Sequence, residues 1–317
     1  MPILACTTTT SPEQRQRLAA LCGPEWEIRD YRGRRDALQR EGAGVAIVYG
    51  TLDEPTFAAL SDLEWIQQNF AGVEGLLFPA LVESPVVVTN VRGAYATLMA
   101  EHVLAGLLYF ARDLPRHRAR RDWGRERADI DPIQLAGSAI CVLGAGSIGS
   151  ALCPRLAALG LNVLAVKRRV EAVPGATWVT DLTGMHAYLA RCTHVVVLLP
   201  QTAATQGVVD ADFLSALAPG GILVNVSRGG PVDTAALLAA LDAGRLRGAL
   251  LDSTSPEPPP TDSPLWDHPR VLLTGHRSCI GAEPEFPPFD LFLDNLALWL
   301  DGHQQEMSCV VDKARGY

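Results

Sequence analysis

Gly144-Ala145-Gly146-Ser147-Ile148-Gly149 stands between the apolar run 139–143 and a helix-like stretch, 150–159, and that placement decides the fold. Glycines at this spacing, after a strand and before a helix, form a dinucleotide-binding fingerprint. The first allows a tight turn, the second lets a pyrophosphate approach the backbone, and the third lets helix and strand pack closely. The unpaired amides at the start of such a helix supply the anion site. Gly144, Ala145, Gly146, Ser147, Ile148 and Gly149 are therefore the expected cofactor cradle. The next strand, 162–166, ends in Lys167-Arg168-Arg169 instead of the acidic residue that would hold a ribose 2'-hydroxyl. Lys167, Arg168 and Arg169 suit a 2'-phosphate, so the expected cofactor is NADPH, with NADH possible.

A chain of 317 residues has room for about two domains. Apolar residues make up 48% of it and aromatics only 6%, which suits α/β layers better than a disulfide scaffold or a disordered chain. The net charge of -8 argues against a nucleic-acid partner. Seven scattered cysteines without a Cys-x-x-Cys pair are expected to be reduced, mostly buried thiols of a cytoplasmic protein, Cys279 included. The first six residues lack the basic and apolar segments of a signal peptide and read as a strand. No run is long and apolar enough to span a bilayer; the closest, 103–111, is bounded by Glu101, His102 and Arg112.

Short apolar runs at 3–6, 45–49, 65–70 and 86–89 alternate with helical stretches, so the first hundred residues predict a parallel sheet with helices on its faces. A long apolar helix, 98–112, leads into an arginine-rich segment, 112–127. Acids interrupt that segment and no repeated aromatics accompany it, so it reads as a solvated or subunit-contacting arm. Beyond the fingerprint, strands are expected at 195–199, 222–226, 249–252 and 271–274. One helix, 289–301, remains after the proline-rich stretch 284–288. It is too little for a third domain and is expected to pack back on the first, giving a discontinuous domain, 1–98 with 282–317, around a dinucleotide-binding domain, 99–281.

Open α/β sheets place their chemistry just beyond the carboxyl ends of strands. Three polar residues fall there: Arg228, followed by Gly229 and Gly230, which would leave room for a ligand; Glu257, among prolines; and His276. A guanidinium fork matches a carboxylate bidentately.

Taken in order, several stretches resemble the D-isomer-specific 2-hydroxyacid dehydrogenase family, and within it the glyoxylate/hydroxypyruvate reductases. They are Ala71-Gly72-Val73-Glu74-Gly75, Met99-Ala100-Glu101-His102, the glycine fingerprint, Leu198-Leu199-Pro200-Gln201-Thr202, Asn225-Val226-Ser227-Arg228-Gly229-Gly230, Leu251-Asp252 with Glu257-Pro258, Ser263-Pro264-Leu265-Trp266, Thr274-Gly275-His276 and the terminal 311–317. The resemblance implies two doubly wound parallel-sheet domains, a Rossmann cofactor domain inserted into a flavodoxin-like substrate domain. It also implies that Arg228 binds a 2-oxo acid, that His276 is the acid/base, and that Glu257 pairs with it. Backbone amides at Gly72 and Val73 would meet the substrate carboxylate. Leu199, Pro200, Val226 and Asp252 would line the nicotinamide and its ribose, with Met99 beside the cofactor. Tyr49, after its strand, could wall the substrate pocket or simply pack.

Gly275 stands where the family usually has proline, Arg277 where it has an apolar residue, and Ser253-Thr254 where it has an apolar pair. An added cation beside His276 would favour a more acidic substrate. The expectation is a cytoplasmic, homodimeric reductase that makes a D-2-hydroxy acid from a small 2-oxo acid with NADPH, without a metal. Glu257 argues against formate-type dehydrogenases, which use Gln there, and the chain leaves no room for the regulatory domain that phosphoglycerate dehydrogenases commonly carry. The alternative is a nucleotide-sensing corepressor, a binding protein of the same fold.

Overall fold

A computed structural model describes residues 1–119, 130–280 and 288–316. The chain divides into two compact units, Met1–Ala94 with Glu283–Tyr317, and Tyr95–Ala282. The arginine-rich segment beyond residue 119, most of the proline-rich stretch and the expected boundary at 281/282 lie outside the described residues.

Among the described residues of the first unit five parallel strands, β1 (Ile3–Cys6), β2 (Glu27–Asp30), β3 (Val45–Tyr49), β4 (Trp65–Gln67) and β5 (Val87–Thr89), run in the order β2-β1-β3-β4-β5. β1 and β3 are buried along their whole length, as strands covered on both faces must be. β2 has no sequence expectation behind it. Its Glu27, Arg29 and Asp30 are charged, and it is tolerated because it is an edge strand, where Arg29 pairs with Glu27 at 2.6 Å. The helix Pro288–Leu300 packs on this sheet: the Phe292 ring stacks on Tyr49 with centroids 4.3 Å apart, and Asn295 Nδ2 donates to Gln67 Oε1 at 3.2 Å. Lys313 Nζ then donates to the carbonyls of Leu81, Ser84 and Val86 at 2.6 to 3.0 Å, fastening the last segment to the same unit.

Among its described residues the second unit carries seven parallel strands: β6 (Ala139–Leu143), β7 (Asn162–Val166), β8 (Trp178–Thr180), β9 (His194–Val197), β10 (Gly221–Asn225), β11 (Leu246–Leu251) and β12 (Val271–Leu273). Their order, β12-β11-β10-β9-β6-β7-β8, reverses direction between β6 and β9, which opens a crevice at the carboxyl ends of those two strands. Alternation along β6 assigns the faces. Ile140 and Val142 join Ala100, Val103, Leu107, Leu152 and Leu156 from the helices Ala96–Ala111 and Ser147–Ala158. Cys141 and Leu143 join Phe213, Leu237 and Leu241 from Ala211–Ala216 and Thr234–Asp242 on the other face. The Phe110 ring fills the space where a side chain at Gly248 would stand, so helix and sheet meet closely there. β8, three half-buried residues at the edge, was not legible in the sequence. All seven cysteines are free. Among the described residues no helix is long and apolar enough to cross a membrane.

His194, fully buried at the start of β9, accepts the Ile222 amide hydrogen on Nδ1 at 3.2 Å. Burial and then the Arg247 charge push its pKa down to about 4. An unfolded chain takes up that proton near pH 6.5 and the folded one does not until about pH 4, so this contribution to stability is complete above 6.5 and lost between 6.5 and 4. The loss amounts to roughly 3 kcal/mol at full extent. His194→Asn keeps an acceptor for Ile222 but cannot titrate. Urea midpoints of this variant should vary less with pH between 7 and 4.5 than those of the parent; parallel pH profiles would show that another group is responsible.

Candidate active site

Glu257 and His276 come together at the carboxyl edge of the second unit's sheet. His276 Nδ1 lies 2.6 Å from Glu257 Oε1, and both side chains are roughly half exposed, at 46% and 40%. A carboxylate accepts only, so Nδ1 donates to it and Nε2 is the ring nitrogen left for proton transfer. The strand preceding His276 ends at Leu273, and the backbone turns through two left-handed residues, Gly275 (φ 62°) and His276 (φ 58°). Proline, fixed near φ -65°, could not take the first of these positions. The second costs about 1 kcal/mol or more for a side chain with a Cβ.

Asp252 holds that turn. Its carboxylate, in a residue only 2% exposed, accepts from the Thr274 hydroxyl at 2.6 Å and from the amides of Arg277 and Ser278 at 2.8 and 3.0 Å. Its own carbonyl accepts from the His276 amide at 2.6 Å. Burial alone would raise the Asp252 carboxyl, but hydrogen bonds from Ser278, Thr274 and the backbone outweigh it and hold the group below the usual carboxylate range. The Thr274 hydroxyl spends its one hydrogen on Asp252, so His102 Nε2, 3.1 Å from the same oxygen, is the donor to it. Sequence reasoning gave Asp252 to the cofactor and gave Thr274 and His102 no role. Each lay inside a quoted motif, but only the fold shows them in one chain of hydrogen bonds.

Arg228 follows β10 on a loop stitched by Asn225, which is fully buried. Asn225 Nδ2 donates to the Arg228 carbonyl at 2.8 Å, and its Oδ1 accepts from the Ser227 amide and hydroxyl at 3.1 and 3.0 Å. Ser253, in a position expected to be apolar, donates from Oγ to the Ser227 carbonyl at 3.1 Å, tying this loop to the one that carries Glu257. The expectation that Gly229 and Gly230 leave room for a ligand is corrected here. A Cβ at Gly229 would strike the Thr254 backbone, and one at Gly230 would strike the Gln201 and Gln206 side chains. The glycines serve loop-on-loop packing, and the half-buried Arg228 guanidinium is anchored by NH1 to the Ser227 carbonyl at 2.9 Å.

Residues 104–278 match the family model described as D-isomer specific 2-hydroxyacid dehydrogenase, NAD binding domain. The chain belongs to this family. A D-3-phosphoglycerate dehydrogenase from Mycobacterium tuberculosis is 34% identical over 236 residues, 74% of this chain and 44% of that protein. The chain spans about half the length of the curated relatives it matches. Among solved structures, a family member from Xanthobacter autotrophicus Py2 in complex with NADPH and MES superposes with a TM-score of 0.83 at 30% identity, covering 100% of this chain and 99% of that one. An NADPH-dependent glyoxylate/hydroxypyruvate reductase from Sinorhizobium meliloti, in complex with NADP and sulfate, does so with a TM-score of 0.83 at 26% identity and covers 100% of both chains.

The cradle residues of this dehydrogenase-family chain fit a dinucleotide. Gly144 has φ 103°, and a Cβ on it would stand 2.7 Å from the Leu198 carbonyl oxygen, across the β6/β9 crevice. A Cβ on Gly149 would meet the Gly144 carbonyl oxygen at 2.6 Å. Nothing lies within 4 Å of the same position on Gly146, where open space is what a pyrophosphate needs. The helix Ser147–Ala158 starts there with no side-chain cap, so its first amides, including those of Ile148 and Gly149, have no intrahelical partner. Ala145 is buried, its amide donating to the Val166 carbonyl at 2.9 Å. Leu199 and Val226 are core residues at the strand ends, Pro200 and Met99 are half-buried, and Met99 packs against the sheet. Of the three expected cations, Arg168 and Arg169 are exposed, while Lys167 is held against Glu171.

Tyr49, Gly72 and Val73 belong to the first unit. Tyr49, the last residue of β3, is 4% exposed, its ring stacked on Phe292 and edge-on to Phe289, so it packs in the core of this unit. Gly72 and Val73 occupy the loop after β4, with the Val73 side chain buried in that unit's core.

Asp252→Asn replaces one accepting oxygen by a donor and leaves at least one amide or hydroxyl of the His276 turn without its partner. A loss of about 1 to 3 kcal/mol in stability is expected from urea denaturation. Unchanged stability would mean that the turn does not depend on this carboxylate.

Proposed function

We propose that this chain reduces a small 2-oxo acid of the glyoxylate or hydroxypyruvate type to the D-2-hydroxy acid, with NADPH preferred over NADH. The observation that carries the reading is the His276–Glu257 pair, set on a clamped turn at the same sheet edge as the glycine cradle. The S. meliloti neighbour, named for this activity and bound to NADP, supports it. When bound, the dinucleotide supplies a hydride to the 2-oxo carbon. His276 gives the Nε2 proton to the carbonyl oxygen as negative charge develops there. Glu257 accepts the Nδ1 hydrogen throughout, which fixes the ring's orientation and leaves Nε2 for the substrate oxygen. Arg228 presents its planar fork to the carboxylate and carbonyl oxygen, so the substrate is oriented and charge on the oxygen is stabilised. Reduction of glyoxylate, hydroxypyruvate, pyruvate and a bulkier 2-oxo acid with each cofactor tests the reading. No oxidation of NADPH by any of them, in protein that binds NADPH, would overturn it in favour of a nucleotide-sensing role.

His276→Ala removes the proton donor without touching the glycine cradle. A fall in kcat of about a hundredfold or more is expected, with NADPH affinity kept; turnover near that of the parent would remove His276 from the mechanism. Arg228→Lys substitutes a point charge for a fork. It should lower kcat/KM by about tenfold to several hundredfold across the substrates, and equal values for the two proteins would leave Arg228 with no part in substrate binding.

A further inference from the structure

The end of β7 already carries an anion. Lys167 Nζ lies 2.7 Å from Glu171 Oε1, four residues along a non-helical turn. The two partners differ in freedom. Lys167 continues the β7/β8 ladder through its amide, which donates to the Thr180 carbonyl at 2.9 Å, and its side chain is only 19% exposed. Glu171 stands beyond the ladder with 63% of its side chain exposed. The hydrogen bond from Lys167, followed by the Lys167 and Arg169 charges, holds the Glu171 carboxyl below the usual range. It is therefore ionised at neutral pH. The acidic residue missing from the strand end itself is thus present a few residues later and reaches back to the first of the three cations.

We propose that Glu171 sets the balance between the two dinucleotides: its carboxylate is an internal counter-ion that a 2'-phosphate must displace from Lys167, and that accepts a ribose hydroxyl when the phosphate is absent. This rests on the reading above that places the adenosine ribose at the end of β7. The geometry supplies the reason. Lys167 is the most enclosed of the three cations, so it is the one whose charge is least screened and most useful to a phosphate. While Glu171 holds it, a phosphate gains one ammonium but must expel one carboxylate and then sit near it. A 2'-hydroxyl faces no such competition, because a carboxylate is the group that binds it. The chain is built to weaken its own preference for NADPH, leaving both dinucleotides within reach.

Calorimetric titration without any 2-oxo acid tests this, using NADPH, NADH and the fragments 2',5'-ADP and 5'-AMP, which lack the nicotinamide. Glu171→Gln should bind NADPH and 2',5'-ADP about fivefold more tightly, the scale of an exposed ion pair, and NADH no more tightly than the parent does. Added salt should narrow the gap between variant and parent for NADPH. Equal changes for NADPH and NADH, or none for either, would overturn the proposal. Lys167→Gln separates the two readings. If it weakens NADPH while Glu171→Gln changes nothing, the role of Glu171 fails and the placement of the ribose stands. If it leaves NADPH binding as in the parent, that placement fails and the proposal falls with it.

Discussion

A single buried carboxylate, Asp252, holds the candidate site in shape. Taking a carboxylate out of water costs several kcal/mol unless its oxygens are fully engaged. Here one hydroxyl and two amides engage them, each a charge-assisted bond of about 1.5 to 3 kcal/mol. The partners all come from Thr274 to Ser278, so the energy that makes burial of Asp252 tolerable also fixes the turn on which His276 sits. The left-handed backbone at Gly275 and His276 persists because this clamp over-determines it. His102, donating to Thr274, extends the same network to the helix Ala96–Ala111.

Close backbone approach is the second constraint, and glycine answers it at each crossing. Gly144 lets β6 turn against the residue that follows β9, and Gly149 lets the next helix settle on that turn. Gly229 does the same for the loops bearing Arg228 and Glu257, which meet main chain to main chain. Asn225 and Ser253 then supply the hydrogen bonds that main-chain groups in irregular loops would otherwise lack. At this edge polar side chains tie the loops together by hydrogen bonds, while the apolar core supplies the platform below.

Strands buried on both faces declared themselves as continuous apolar runs: β1, β3, β6, β9 and β10. The edge strands β2 and β8 did not, because a strand with one neighbour and half-buried residues can be polar or very short and still pair. Arg228, Glu257 and His276 were visible for a related reason. Each follows an apolar run, and strand ends are where parallel sheets expose polar groups.

The sequence by itself determined the parallel α/β architecture, the cradle for a dinucleotide and the three polar residues at strand ends. These follow from local patterns of glycine, apolar runs and what comes directly after them. Only the tertiary structure decided which residues meet across the chain: Asp252 with Thr274 and Ser278, Ser253 with Ser227, Tyr49 with Phe292, and Lys167 with Glu171. Even that last pair, four residues apart, needed the structure, since outside a helix a four-residue spacing does not by itself determine whether two side chains meet. Local sequence dictates which elements form, but the partner of a buried polar group is chosen by the packing of elements distant in the chain.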